Sequence, residues 1–472
     1  MTSSPTSTAA ATTPVGGFKS LERELSGADL TVRGTLPPWL RGSLLRTGPA
    51  KWEIGERRLN HWFDGLAMLH RFSFADGRVS YANRFLDSST YRIARDEGRL
   101  AFRQFATDPC RSLFQRVQSL FASEHGDNGN VNVARLGERF MAMTESPLPV
   151  EFDARTLAAS GVPFAAPGDL SIAHPHVDRS TGAMLSYAAK LGARSEYRFF
   201  TVAPNGARPD VVASVPVREP AYMHSFGLTP RWLVLVEFPL VVNPLRLAIG
   251  ARTFIENYRW KPELGTRIRL IDRRTYRALG PFTTDALFAF HHVNAYEDGE
   301  DVVIDVCAYP DPAMIEDLYM DRLRAGKPLR DAELRRLRLS PSAGDVTHER
   351  LLDEPLELPR INYARCNERP HRYVWGAGTG GTGWFDRVVK ADVAVGACRT
   401  WAEPGCYPGE PVFVEAPDAR AEDDGVLLSV VFDAAGGTSF LLVLDARDLA
   451  ELARAEVPHH IPYGFHGQYA DA

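Results

Sequence analysis

The chain has 472 residues, 44% hydrophobic and 24% charged, with a net charge of −5. That length exceeds a usual single core and calls for several domains or one large repeating architecture, while an acidic balance with no basic block argues against nucleic acid as a partner. Five widely spaced cysteines, Cys110, Cys307, Cys366, Cys398 and Cys406, form no C-x-x-C pair, so they suggest neither a zinc site nor a disulfide framework and fit a reducing cytoplasm.

In chain order, residues 1–17 carry TSSPTSTAAATTPVGG, which is low in complexity and lacks the charged start and apolar centre of a signal peptide. They are expected to be a disordered tail ahead of a domain spanning 18–472. Short β-branched or aromatic runs then alternate with Gly, Pro and Asp-Gly turns: HRFSFADGRVSYANRF (70–85), YEDGEDVVIDVCAY (296–309) and DDGVLLSVVFDAAGGTSFLLVLDA (423–446). Hairpins in series predict an all-β fold. A smaller pattern recurs in FDARTL (152–157), IDRRTY (271–276) and LDARDL (444–449), with DRSTGAML (178–185) as a looser copy. In the first three, a hydrophobic strand ends on Asp, whose carboxylate accepts backbone N–H bonds at a turn. Repetition of such a unit points to a propeller, and at ~40–50 residues per blade the length holds about seven.

Three stretches break this pattern. Residues 109–121 place Leu113, Phe114, Val117, Leu120 and Phe121 at helical spacing; 239–262 mix apolar bulk with Arg and Trp; 312–338 read as helical and charged. They are expected to cap one end of the β scaffold. The first two also suit a membrane surface, with apolar faces edged by Arg and Lys. No apolar run reaches membrane-spanning length.

Four of the 13 histidines sit in contexts that read as strand then turn: IAHPHVD (His174), YMHSFGLTP (His224), FAFHHVNAYE (His291) and YGFHGQY (His466). Imidazoles converging from distant strands can hold a redox metal without a charged ligand. The pattern does not select within each context. His174 and His176 would share a strand face, His291 and His292 would face opposite ways, and His459 and His460 precede His466. A metal-bound imidazole is normally oriented through its other nitrogen, often by a carboxylate. Glu145, Glu357 and Glu410 stand in suitable strand-and-turn settings, but spacing alone does not tie them to the histidines.

From about Gly34 to its end, the chain resembles the carotenoid cleavage oxygenases. The matching segments are RGSLLRTGPAKWEIG (41–55), HWFDGLAMLHRFSF (61–74), AHPHVD (173–178), MHSFGLTP (223–230), FHHVNAYED (290–298), LELPRINY (356–363), EPVFVEAPDARAEDDGVLLSVV (410–431) and GFHGQY (464–469). MHSFGLTP, EDDGVLLSVV and DPCRSLF (108–114) are most similar to the animal branch, which holds the β-carotene oxygenases and the retinoid isomerase of retinal pigment epithelium. The resemblance implies a seven-bladed β-propeller catalytic domain with a cap near 109–121, 239–262 and 312–338. It implies iron ligands at His174, His224, His291 and His466, with Glu145, Glu357 and Glu410 bonded behind them. Phe63, Thr144 and Tyr222 are implied to line the substrate tunnel. Val131, in GNVNV, departs from the Thr that many of these oxygenases carry, which bears on oxygen positioning.

The resemblance further implies one Fe(II) per chain, O2 as co-substrate, and cleavage of a carotenoid or apocarotenoid double bond into two aldehyde-type products. Four neutral imidazoles leave such an ion its full charge and two open positions, unlike a site of two histidines and a carboxylate. An electron-rich polyene needs no ionisable group; it needs alignment in a long apolar tunnel from which water is kept out. With the cytoplasmic location that the cysteines fit, a lipophilic substrate implies an enzyme that touches a membrane peripherally, near Leu113–Phe121 and Leu240–Ile255. Two alternatives keep the iron: retinoid isomerohydrolysis without O2, and stilbenoid cleavage. The stilbenoid-cleaving relatives grip a phenol with Lys and Tyr, and 125–137 contain no Lys. Oligomeric state is not readable.

Overall fold

The computed structural model describes residues 13–109, 125–249 and 252–471. Seven sheets of four to six strands account for most of them. Blade 1 runs, from the inside out, Gly467–Ala470, Gly42–Lys51, Leu66–Ala75, Arg78–Phe85 and Leu25–Asp29. The innermost strands of blades 2 to 6 are Asn132–Leu136, Leu170–Ser171 with His176–Val177, Gly227–Leu228, Phe288–Asp298 and Glu357–Arg360. Blade 7 begins with Cys406–Pro408 and Val412–Glu415, both paired to Gly425–Asp433. Inner strands touch from blade to blade: Phe288–Asp298 meets Gly227–Leu228 on one side and Glu357–Arg360 on the other, and Gly467–Ala470 meets Asn132–Leu136 and Val412–Glu415. The sheets therefore form a closed ring of seven blades: the propeller that the repeated hairpins suggest, with the blade number that the family resemblance implies.

The ring is closed at both ends of the chain. The last strand pairs with blade 1 in the register Leu44↔Tyr469 and Arg46↔Gly467. Thr31–Gly34 forms the outer edge of blade 7 through Val32↔Ala455. Closure brings backbones together, and a Cβ on Gly48 would lie 2.9 Å from the Cα of Gly464. Neighbouring blades pack face to face. Leu45 and Leu69 meet Val133 and Phe140 between blades 1 and 2, and Tyr187 and Phe199 meet Leu233 and Leu235 between blades 3 and 4. Each such side chain contributes about 1.5–3 kcal/mol by leaving water.

The recurring Asp motif is a hairpin device. Asp153 Oδ1 accepts the N–H groups of Arg155 (3.1 Å) and Thr156 (2.7 Å), and Asp272 Oδ1 those of Arg274 (2.9 Å) and Thr275 (2.8 Å). The residue that ends each turn is left-handed: Leu157, Gly182, Tyr276 and Leu449 have φ of 58°, 67°, 56° and 64°.

Three expectations need correction. Residues 1–12 lie outside the described residues, but the tail does not extend to 17: Pro14–Phe18 is a 3-10 helix with Pro14, Gly17 and Phe18 buried. The segment 312–338 is only partly helical. Met314–Asp317 and Met320–Arg324 are short helices, whereas Glu333–Ser340 is a strand of blade 5 whose Leu334, Leu337 and Leu339 are buried. Alternating charges hid that strand. The segment 239–262 holds a hairpin, Leu240–Val242 with Tyr258–Trp260, around the helix Pro244–Ile249. Leu240, Val241, Val242 and Ile255 are buried, and among the described side chains of this segment the exposed large apolar one is Leu245. Of 109–121, all but Pro109 lie outside the described residues.

Candidate metal centre

Each of the four histidines comes from an innermost strand or the turn leading into it. His174 lies between the two short inner strands of blade 3, His224 before that of blade 4, His291 within that of blade 5 and His466 immediately before that of blade 1. Their ligand atoms all lie within 4.8 Å of one another. The Nε2 atoms of His174 and His224 are 2.9 Å apart, and those of His291 and His466 3.1 Å.

The glutamates come from the remaining blades, 2, 6 and 7. His224 Nδ1 donates to Glu145 (2.6 Å), His291 Nδ1 to Glu357 (2.6 Å) and His466 Nδ1 to Glu410 (2.8 Å). A proton on Nδ1 leaves Nε2 as a bare lone pair. The His291 and His466 lone pairs therefore face each other at 3.1 Å, an arrangement that repels unless a cation lies between them. Ligands at right angles, with metal–nitrogen bonds of about 2.1 Å, stand about 3 Å apart. The donor set thus fits a metal ion. Burial, and after it the neighbouring imidazoles, holds His174 and His466 well below the ordinary histidine pKa, which keeps them as neutral donors.

The glutamates are themselves held. Tyr222 donates its hydroxyl to Glu145 Oε1 (2.8 Å), Leu358 N–H donates to Glu357 Oε2 (2.6 Å), and Gly467 N–H to Glu410 Oε2 (2.9 Å). Glu410 also pairs with Arg46 at 3.4 Å and Arg360 at 3.6 Å. Both arginines lie within matched segments, 41–55 and 356–363, but nothing in those segments singles them out.

The structure also separates the histidine pairs. Pro175 interrupts the inner strand, so His174 and His176 do not share a face. His176 points to the Tyr363 hydroxyl (2.9 Å) and the Phe226 carbonyl (3.0 Å). His292 lies beside a register shift and bonds to Ser225 Oγ (2.8 Å). His459 and His460 bond to backbone carbonyls.

A cavity of about 560 Å3 adjoins the histidines. Phe63, Thr144 and Val131 are among the residues that line it. Phe63 packs against Phe105, Phe290 and Phe465 at ring-centroid distances of 5.1, 5.8 and 5.2 Å. Phe290 and Phe465 directly precede His291 and His466, a signal the motifs carried unread. Tyr222 requires correction: it is buried outside the lining, and its hydroxyl is engaged by Glu145, so it positions a carboxylate and does not form the wall.

A family profile described as "Retinal pigment epithelial membrane protein" matches residues 18–471. The chain is 34% identical to the mitochondrial carotenoid-cleaving dioxygenase of Pongo abelii, over 95% of this chain and 93% of that protein. It is 33% identical to the beta,beta-carotene 15,15'-dioxygenase of Rattus norvegicus, over 96% and 90%. The crystal structure of cobalt-substituted Synechocystis ACO covers 97% of this chain with a TM-score of 0.86 at 27% identity, and 98% of that chain is matched.

Proposed function

The chain belongs to the retinal pigment epithelial membrane protein family of carotenoid oxygenases, and on that premise we propose that it is a non-haem Fe(II) enzyme that cleaves a carotenoid or apocarotenoid double bond with O2. The observation that carries this reading is the set of four inward imidazoles, three of them backed by carboxylates, beside an aromatic cavity. His174, His224, His291 and His466 hold the ion, and Glu145, Glu357 and Glu410 fix the ring orientations. Ferrous iron bound there supplies the one-electron chemistry that lets O2 react with an electron-rich double bond. The protein aligns that bond. Phe63, Phe105, Phe290 and Phe465 present ring faces and edges to a flat polyene and exclude water. Thr144 and Val131 bound the space next to Glu145.

The chain from Pro14 onward acts as one catalytic unit, with the segments around 239–262 and 312–332 as cap. Among the described residues no helix is long and apolar enough to cross a membrane. Leu245, 66% exposed on a cap helix that also lines the cavity, supports peripheral contact with a lipid surface from which substrate enters.

The test is incubation of the iron-loaded protein with β-carotene and an apocarotenal under 18O2. Two carbonyl fragments, each carrying label, are expected. Product formed equally well under argon would replace this reading with the isomerohydrolase type.

A further inference from the structure

The cavity lining contains two clusters of different chemistry. One is aromatic and aliphatic and is supplied by the cap and by blades 1 and 5: Trp62, Phe63, Phe105, Phe254, Phe290 and Phe465. These rings contact one another directly, Trp62 with Phe465 at 4.2 Å and Phe105 with Phe254 at 6.0 Å. The other group comes from blade 3 and the segment entering blade 2: His125, Asp169 and Lys190, with Ser146 nearby in the lining. Asp169 immediately precedes the inner strand Leu170–Ser171, and Lys190 ends the strand paired to it. Lys190 Nζ donates to Asp169 Oδ1 at 3.0 Å, and Leu191 N–H donates to Oδ2 at 2.7 Å. Burial keeps the neighbouring His125 below its ordinary pKa and therefore uncharged at neutral pH.

A charged pair in the wall of a hydrocarbon tunnel calls for an explanation. Its side chains are 45% and 18% exposed, and ion pairs this open add little to stability. A pure hydrocarbon lying against it would gain nothing from it and would have to displace its water. Arg103, the other Lys or Arg among the described lining residues, is likewise paired with an aspartate but has a second acceptor in the backbone. It bonds to Asp108 (3.0 Å) and to the carbonyl of Leu247 (3.5 Å), which fastens the cap helix. Lys190 has three N–H donors and one acceptor among the described residues, Asp169.

We propose that Lys190 and Asp169 form a polar terminal subsite that receives a neutral oxygen group, best a hydroxyl, at one end of the polyene, so that the preferred substrate is an oxygenated carotenoid. This rests on the polyene-cleaving reading and deepens it. The pair is neutral as a whole, so a carboxylate end would leave an unbalanced charge. A hydroxyl accepts from the ammonium and donates to the carboxylate, whereas a carbonyl can only accept. Anchoring one end fixes how far along the chain the double bond beside the metal lies. Lys190 and Asp169 are thus specificity residues that act at a distance from the reacting bond.

The test compares β-carotene with zeaxanthin, which differs from it by two ring hydroxyls. Binding is read by the polyene absorbance shift under argon and turnover by kcat/KM in air. Wild type should favour zeaxanthin roughly tenfold in both, one hydrogen bond to a charged group in a half-open site. K190M should abolish the preference by weakening zeaxanthin relative to β-carotene, and K190R should retain it. D169N, a second variant should K190M not fold, should retain binding of an apocarotenal and lose the added gain for the hydroxyl. Equal binding of both polyenes by wild type, or equal weakening of both by K190M, would overturn the subsite. If polyenes bind with this preference but none is cleaved, the subsite stands and the oxygenase reading falls. If zeaxanthin and β-carotene are both cleaved without preference, the reverse holds.

Discussion

Glu145, Glu357 and Glu410 do the same job for three histidines but are not equivalent. Glu145 is held by a neutral phenol, Glu357 by a backbone N–H, and Glu410 by a backbone N–H and two arginines. Removal of a carboxylate behind a metal-bound imidazole typically costs 10–100-fold in metal affinity or activity. Glu410→Gln should therefore cut iron retention against a chelator by about that factor. It should also destabilise the fold, by roughly 3 kcal/mol, because Arg46 is only 5% exposed and loses its counter-charge. Tyr222→Phe acts one bond further from the metal. It should lower iron retention less than tenfold and leave denaturant unfolding nearly unchanged, roughly within 1 kcal/mol. Measuring iron content and unfolding on both variants separates the two roles.

At the scale of elements, the cap is fastened to the propeller through buried polar groups. The 3-10 helix Trp62–Asp64 is capped by His61, whose Nδ1 accepts from Phe63 N–H at 3.2 Å. Its Nε2–H then donates to the carbonyl of Ile315 in the cap, at 2.9 Å. Asp64 accepts from Ala106 N–H (3.0 Å) and the Thr107 hydroxyl (2.6 Å), holding the strap that carries Phe105. Burial lowers the His61 pKa to about 3, and that of His70 likewise. The folded value lies below the unfolded one, so the unfolded chain takes up the proton first as pH falls. Stability is full above about pH 6.5 and declines from there toward about 3, by roughly 1.4 kcal/mol per pH unit for each histidine. Urea unfolding between pH 6 and 4 should show this decline. His61→Gln should reduce its slope by one proton's share, and an unchanged slope would refute the assignment.

For the whole molecule, ring closure and the metal centre are one construction. The strand Gly467–Ala470 completes blade 1, and His466 stands directly before it. Arg46, opposite Gly467 in that register, reaches Glu410 of blade 7. Deletion of residues 467–472 should therefore abolish iron binding and lower the melting temperature together. Loss of iron with an unchanged melting temperature would show that closure and metal site are separable. Blades 1, 3, 4 and 5 supply imidazoles, while blades 2, 6 and 7 supply carboxylates, so all seven must be in place before the site exists.

Local chemistry was legible in the sequence. The Asp hairpins could be read because a carboxylate and a left-handed residue meet within one turn. The four ligand motifs could be matched because each histidine is set by its immediate neighbours. Alternation along a strand does not choose His174 over His176 or His291 over His292; the family motifs made that choice, and Pro175 and a register shift give its physical reason. Tyr222 was misread as wall, and Arg46, Arg360 and the Lys190–Asp169 pair were missed, for one physical reason. Their roles are set by partners on other strands or blades, and only closure of the ring brings those atoms within hydrogen-bonding distance.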